Sequence, residues 1–187
     1  MSTTEVQDWL PGCHARLHHA RVSTATPDEL WDAAQAVRLR DAPRLYWLIR
    51  WRLGKHAPPP ETTFEEFFRT GIFMLLEEGE RLSISGVAGK IWAPSGEYAQ
   101  FETAGEYRAY RERGTAKVVL KTAVREHERG SQIVNEARIW CADRRTQLIF
   151  RPFWALVAPF ARFIYSEGFA VAVRRAEGRA DGARHRL

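Results

Sequence analysis

Between Phe68 and Cys141 the hydrophobic residues of this chain recur at every second position, and the segment that follows switches to a helical stripe of Phe153, Leu156, Val157, Phe160, Ile164 and Val171. Period two marks antiparallel strands with one buried face, whereas spacings of three and four mark one side of a helix. A long apolar helix that follows such a sheet buries its stripe against it. The expected architecture is α+β, a curved antiparallel sheet wrapped around a long C-terminal helix, with a hollow between the two layers.

The N-terminal half supplies the remaining elements. Residues 14–22 alternate loosely and read as a first strand. Thr26-Pro27-Asp28-Glu29 then combines a capping threonine, a proline at the first helical position and a glutamate three residues on, a capping box. Behind it Leu30, Ala33, Ala34 and Val37 share one helical face. A second short helix is expected over Pro43 to Leu53, stopped by Gly54. The following Pro58-Pro59-Pro60 supplies no N–H to any ladder and belongs to a surface connection.

In the sheet region, residues 68–77 and 80–88 flank Glu78-Gly79 and suggest a hairpin. Setting 77 opposite 80 places Phe73 against Ile84 and Leu75 against Leu82. A further strand is expected over Tyr98 to Thr103, with Ala99 and Phe101 on one face. Residues 116–126 then place Val118, Leu120, Thr122 and Val124 inward, and Lys117, Lys121 and Arg125 outward. Pairing 126 with 131 returns the chain over 131–141, with Ile133, Asn135, Ala137 and Ile139 inward and Glu136 across from Lys121. Asp143 offers a cap for the terminal helix, Pro152 and Pro159 are expected to bend or divide it, and the chain is expected to fray after Gly178.

At 187 residues, with 45% hydrophobic side chains and seven Trp, one core is expected. The boundaries read as a flexible N-terminal segment (1–12), a single domain (13–178) and a basic frayed tail (179–187). The net charge is +5. Much of the excess lies in Arg174, Arg175, Arg179, Arg184 and Arg186, a pattern that reads as a solvated basic tail rather than a nucleic-acid site. Two cysteines, Cys13 and Cys141, indicate no disulfide framework. Met1 to Leu10 lacks a basic region and an apolar run, so no signal peptide is read there, and cytoplasmic residence is the default expectation. Arg151, Arg162 and Glu167 interrupt the apolar C-terminal stretch, which excludes a spanning helix of about 20 residues.

Gly86-Val87-Ala88-Gly89-Lys90-Ile91-Trp92, Tyr107, Gly114-Thr115-Ala116-Lys117, Glu136-Ala137-Arg138-Ile139 with Asp143, and Phe153-Trp154 with Pro159 carry a resemblance. Over residues 15 to 178 the chain resembles the START-like, or SRPBCC, superfamily, and within it small bacterial polyketide cyclase-like members. The resemblance implies a helix-grip fold, with two short helices after the first strand and a hydrophobic cavity between sheet and terminal helix.

Binding or carriage of a small hydrophobic molecule (lipid, polyketide or isoprenoid-like) is therefore expected, with a cyclase or dehydratase acting in the same pocket as the alternative. The residues expected to line the pocket are Phe73, Ile84, Trp92, Phe101, Leu120, Thr122, Asn135, Ile139, Phe160 and Ile164. Thr122 and Asn135 stand out because alternation turns them inward among apolar neighbours, where a polar group needs a partner. No catalytic set assembles from the sequence, and no cofactor is implied. His14, His18 and His19 lack the further ligands that a metal site needs. Glu136 and Arg138 read as a surface pair, and His127 and Glu128 as turn residues. A monomer or homodimer with at most weak contact to a membrane surface completes the expectation.

Overall fold

Twelve consecutive residue pairs, from Ala116 opposite Cys141 to His127 opposite Gly130, zip the two longest strands together at the register predicted by the alternation. Around this hairpin the computed structural model sets α1 (Val6–Trp9), β1 (Ala15–Ser23), α2 (Pro27–Gln35), a 3₁₀ turn (Leu39–Asp41), α3 (Pro43–Leu53) and α4 (Phe64–Arg69). There follow β2 (Met74–Gly79), β3 (Leu82–Lys90), β4 (Glu97–Tyr98), α5 (Ala104–Ala109), β5 (Ala116–His127), β6 (Gly130–Cys141) and α6 (Arg144–Arg184). The structure describes residues 6–54, 57–69, 71–93 and 96–184, and the side chains of these except 52, 160–165 and 181–184.

The fold is α+β, with a six-stranded antiparallel sheet ordered β1-β6-β5-β3-β2 and β4 paired to the end of β3. Local chemistry explains the helix starts. Thr26 Oγ1 accepts from Glu29 N at 3.3 Å while Glu29 accepts from Thr26 N at 2.9 Å, closing the capping box of α2. Gly54 ends α3 at a φ of 55°, a backbone conformation for which glycine lacks the steric penalty. Asp143 caps α6 by accepting from Thr146 N at 2.8 Å, and it also accepts from Gly114 N at 2.7 Å.

One face of the sheet carries α2 and the C-terminal half of α6. Leu30, Ala33 and Val37 meet Phe169, Ala172, Val173 and Ala176 over Leu17, Ile133 and Ala137. The N-terminal half of α6 is covered less completely: Leu148, Ile149 and Leu156 are exposed, although Phe150 is buried. The aromatic stripe is thus only partly a sheet-facing surface: Phe150, Phe153 and Trp154 pack on Ala116, Val118, Ile139 and Cys141 of the sheet, while Leu156 is exposed. Pro152 and Pro159 both lie within the one helix. That helix runs to Arg184 and buries Ala180, so no end falls at Gly178.

Four expectations are corrected. The β2–β3 hairpin turns at Glu80-Arg81, not Glu78-Gly79, and a bulge at Leu76 shifts its register, so that Ile84 faces Glu77 and Leu75 faces Ser85. Residues 98–103 are not a strand: only Glu97–Tyr98 pair, and Thr103 caps the helix α5. Phe68 lies on the helix α4 rather than at the start of a strand. The sheet's second face is covered rather than solvated, since α1 and α5 bring Val6, Trp9, Leu10 and Tyr107 onto Ile84, Ala88 and Val119. Residues 6–10, expected within a flexible segment, are thus part of that packing, and Lys117, Lys121 and Arg138 are buried instead of outward in solvent.

Tyr107 crosses the sheet directly above Gly86. A Cβ there would meet its ring at 2.6 and 2.7 Å and Leu76 Cδ1 at 2.9 Å, which explains the glycine at the centre of a strand. The Tyr107 hydroxyl donates to Val118 O at 2.8 Å, and burial holds its pKa above the ordinary phenol range.

Candidate functional site

Strand pairing places Ser83 opposite Thr122, Thr122 opposite Asn135 and Asn135 opposite His19. Because successive side chains alternate faces, these four form one polar row across four strands on the α6 side of the sheet. Leu17, Ala137 and Leu120 flank the row on one side, and Ile133 and Val124 on the other. Asn135 Nδ2 donates to Thr122 Oγ1 at 3.0 Å. Its carbonyl oxygen, on a residue only 1% exposed, has no hydrogen-bond partner among the described residues. His19 Nε2 is likewise buried without a partner, its ring 5.7 Å from that of Phe169, and burial lowers its pKa toward the neutral imidazole.

Above the row lies a cavity of about 60 Å³. Its floor is Ser83, Ser85, Leu120, Thr122 and Asn135, and its walls come from α2, α4 and α6, notably Val37, Phe64, Phe68, Phe169 and Ala172. Gly168 stands where α6 passes Phe64: a Cβ would sit 3.0 Å from the ring's Cζ. No Lys, Arg or His is among the described residues lining the cavity, and the one ionisable group there is Glu65, which pairs with Arg69 at 2.8 Å.

The expected lining residues separate into several places. Leu120, Thr122 and Asn135 meet at the cavity floor. Ile84 and Phe101 belong to the cluster on the opposite face of the sheet, because Ile84 pairs with Lys121 on that face and Phe101 packs edge-on against Tyr107 and Tyr110 around α5. Phe73 packs edge-on against Phe67 and Phe68, and together with Phe101 lines a more open depression of about 290 Å³ beside β2. Trp92 stands edge-on to Phe150, in a cluster with Ile139 below the first turns of α6. The side chains of Phe160 and Ile164 lie outside the described residues. The sequence reading missed Phe64, Phe68 and Phe169, although the Thr63-x-x-Glu66 capping signature marks the short helix that carries the first two.

The other candidates take structural parts. His14 Nδ1 accepts from Cys141 N at 2.9 Å, and His18 lies opposite Glu136. Among the described residues no group of three His, Cys, Asp or Glu side chains is placed to hold a metal. Glu136 and Arg138 do pair, at 2.8 Å, but beneath the covered second face. Lys117, fully buried, donates to the carbonyls of Tyr107 at 2.6 Å and Arg108 at 3.2 Å and so closes the C-terminus of α5. Burial, then the nearby charges of Arg111 and Arg108, pulls its pKa down to about 8. Arg175 is tied to Asp41 at 2.9 Å rather than belonging to a free tail.

No protein-family model and no curated protein matches the chain. Among solved structures, the crystal structure of TTHA0849 from Thermus thermophilus aligns over 90% of this chain and 99% of its own, at 8% identity and a TM-score of 0.28. Among the described residues no helix is long and apolar enough to cross a membrane.

Proposed function

We propose that the protein binds a small, neutral, largely apolar molecule (a lipid, polyketide or isoprenoid-like alcohol) with its hydroxyl on the polar row and its apolar body toward α2, α4 and α6. The observation that carries this reading is the buried, unpartnered carbonyl oxygen of Asn135 at the floor of an otherwise apolar cavity. Leaving such an acceptor unpaired costs about 1–3 kcal/mol, and a donor on the ligand recovers that cost. The absence of any cation from the described lining favours a hydroxyl over a carboxylate or phosphate, whose burial without a counter-charge is far more costly. A few precisely placed polar groups in an apolar pocket is the usual composition of a ligand site.

At about 60 Å³ the cavity is smaller than the roughly 150 Å³ that admits a benzene-sized guest. Entry of a larger body therefore displaces a wall. The helix α4 is the element suited to that movement, since it is six residues long and none of its side chains is buried. The order of strand, helices, antiparallel strands and terminal helix supports a helix-grip arrangement and START-like kinship as the framework of this reading. A cyclase or dehydratase would need a proton-transfer group at the cavity, and the described lining offers Glu65 alone, already paired with Arg69.

The test is calorimetry and native mass spectrometry with a medium-chain primary alcohol and the carboxylic acid of equal length. The alcohol is expected to bind in one-to-one ratio, and the ionised acid at least about tenfold more weakly, a gap consistent with one uncompensated buried charge. Asn135→Leu is expected to reduce alcohol affinity by about fivefold, the worth of one neutral hydrogen bond. Preference for the acid, or no uptake of either, overturns the reading.

A further inference from the structure

We infer that α3 is a docking surface for anionic lipid bilayers. Among the described residues the large hydrophobic side chains left exposed are Trp47 (65%), Trp51 (67%), Leu148, Ile149 and Leu156, all on α3 or on the first half of α6. Around α3 the long exposed side chains follow one another as Arg50, Trp47, Trp51 and Arg44, so the two indoles stand side by side with a guanidinium on each flank. The opposite side of the helix, Leu45 and Ile49, packs on Phe64 and Phe67 of α4, which fixes the tryptophans outward.

Charge decides the occupant. Residues 43–53 contain three arginines and no Asp or Glu, and residues 144–166 contain four arginines and no Asp or Glu. A carboxylate meets α3 at its first turn, where Glu167 accepts from Leu45 N at 3.1 Å, and leaves arginine in excess around the helix. A helix with tryptophan and arginine on its outer face matches the headgroup layer of an anionic membrane, where indoles lie at the polar boundary and cations meet lipid phosphates. A second copy of the chain fits this face poorly. A two-fold interface presents the patch to itself, and with no acidic residue on α3 it would set arginine against arginine. Bases could stack on Trp47 and Trp51 as well, but the other exposed large hydrophobic side chains among the described residues, Leu148, Ile149 and Leu156 on the second basic stretch, are aliphatic and suit acyl chains rather than bases, which favours lipid over single-stranded nucleic acid. The inference goes beyond cargo binding and stands without it, but it gives a carrier a place to exchange cargo: Phe64, on which the inner side of α3 rests, also lines the cavity.

The full chain is to be sedimented with vesicles of phosphatidylcholine alone and of three parts phosphatidylcholine to one part phosphatidylglycerol. Binding is expected only to the anionic vesicles, with loss at high salt. Trp47→Ser/Trp51→Ser is expected to abolish it. Arg44→Gln/Arg50→Gln is expected to weaken it about thirtyfold, at roughly a factor of five per charge. Circular dichroism verifies that both variants are folded, and because each removes exposed groups, one serves if the other fails to fold. Brominated lipids are expected to quench part of the tryptophan emission of the parent and none of that of the tryptophan variant. Equal binding to neutral vesicles, binding retained in the folded variants, no binding at all, a dimer in ultracentrifugation that the tryptophan variant dissolves, or retention of single-stranded nucleic acid that depends on the same residues overturns the inference.

Discussion

Asn135 and Thr122 face each other on neighbouring strands and share a single hydrogen bond, from the amide nitrogen to the hydroxyl oxygen at 3.0 Å, which leaves the amide oxygen without a donor. Removing one member of this pair is predicted to cost more than removing both. Thr122→Val strands the buried nitrogen as well and is expected to cost about 1–3 kcal/mol, whereas Asn135→Leu/Thr122→Val, which eliminates every unpaired polar atom of the pair, is expected to unfold within about 1 kcal/mol of the parent or above it. Urea denaturation of the parent, Thr122→Val, Asn135→Leu and the double variant decides, and a double variant as weak as the sum of the singles refutes the account.

Gly86→Ala is predicted to destabilise the fold by about 1–3 kcal/mol, the range for overpacking a well-filled core. Its new methyl would collide with the Tyr107 ring and Leu76. Combining it with Tyr107→Leu is expected to recover part of the loss, since the ring is the principal obstruction. Thermal unfolding of the single and combined variants measures this, and a tolerated Gly86→Ala counts against the close crossing.

Stability is predicted to depend on Lys117 in alkaline solution. Its folded-state pKa is lowered from 10.5 to about 8 by burial, so between those values the unfolded chain binds more protons than the native one and stability rises with pH. The Cys141 thiol, raised by burial from 9.0 to about 11, acts in the opposite sense over part of the same window. The informative quantity is therefore the parent's stability minus that of Lys117→Met, which is expected to increase between pH 8 and 10.5. A flat difference shows that the ammonium keeps its ordinary pKa.

Asp143 titrates with the reverse sign. Hydrogen bonds from Thr146 N and Gly114 N lower its pKa from 3.8 to about 2, so its contribution is present above the ordinary value and lost as pH falls through the lowered one. Asp143→Asn is expected to melt below the parent at neutral pH and to converge with it as pH falls from 3.8 to about 2. Melting curves across that range test it, and a constant separation refutes it.

Sequence patterns resolved the long elements and failed at the short ones. Thr26 announced α2, Pro43 and Gly54 bounded α3, and alternation on either side of a turn between His127 and Gly130 set Glu126 opposite Ser131. Helices α4 and α5 are six residues each, less than two turns, too short for a hydrophobic period to register. Their caps are the legible part: Thr63 and Glu66 repeat the arrangement at Thr26, and Thr103 accepts from Glu106 N at 3.2 Å. The covering of Lys117 was illegible for a different reason. Alternation distinguishes two faces of a strand but does not tell which distant segment, here Trp9 or Tyr107, will close over the charged one. At the cavity, the inward turn of Thr122 and Asn135 was readable, while the aromatic wall depended on a helix that the period concealed.

The polar row exists only because four strands are aligned to the residue. Sliding β6 past β5 by a single position would rotate Asn135 out of the cavity floor and put its chain neighbour, Val134 or the charged Glu136, in its place. Under the proposed function, ligand selectivity is encoded in backbone alignment as much as in side-chain identity, and insertions in the Glu128-Arg129 turn become a route to changing what the cavity would accept without altering any residue that lines it.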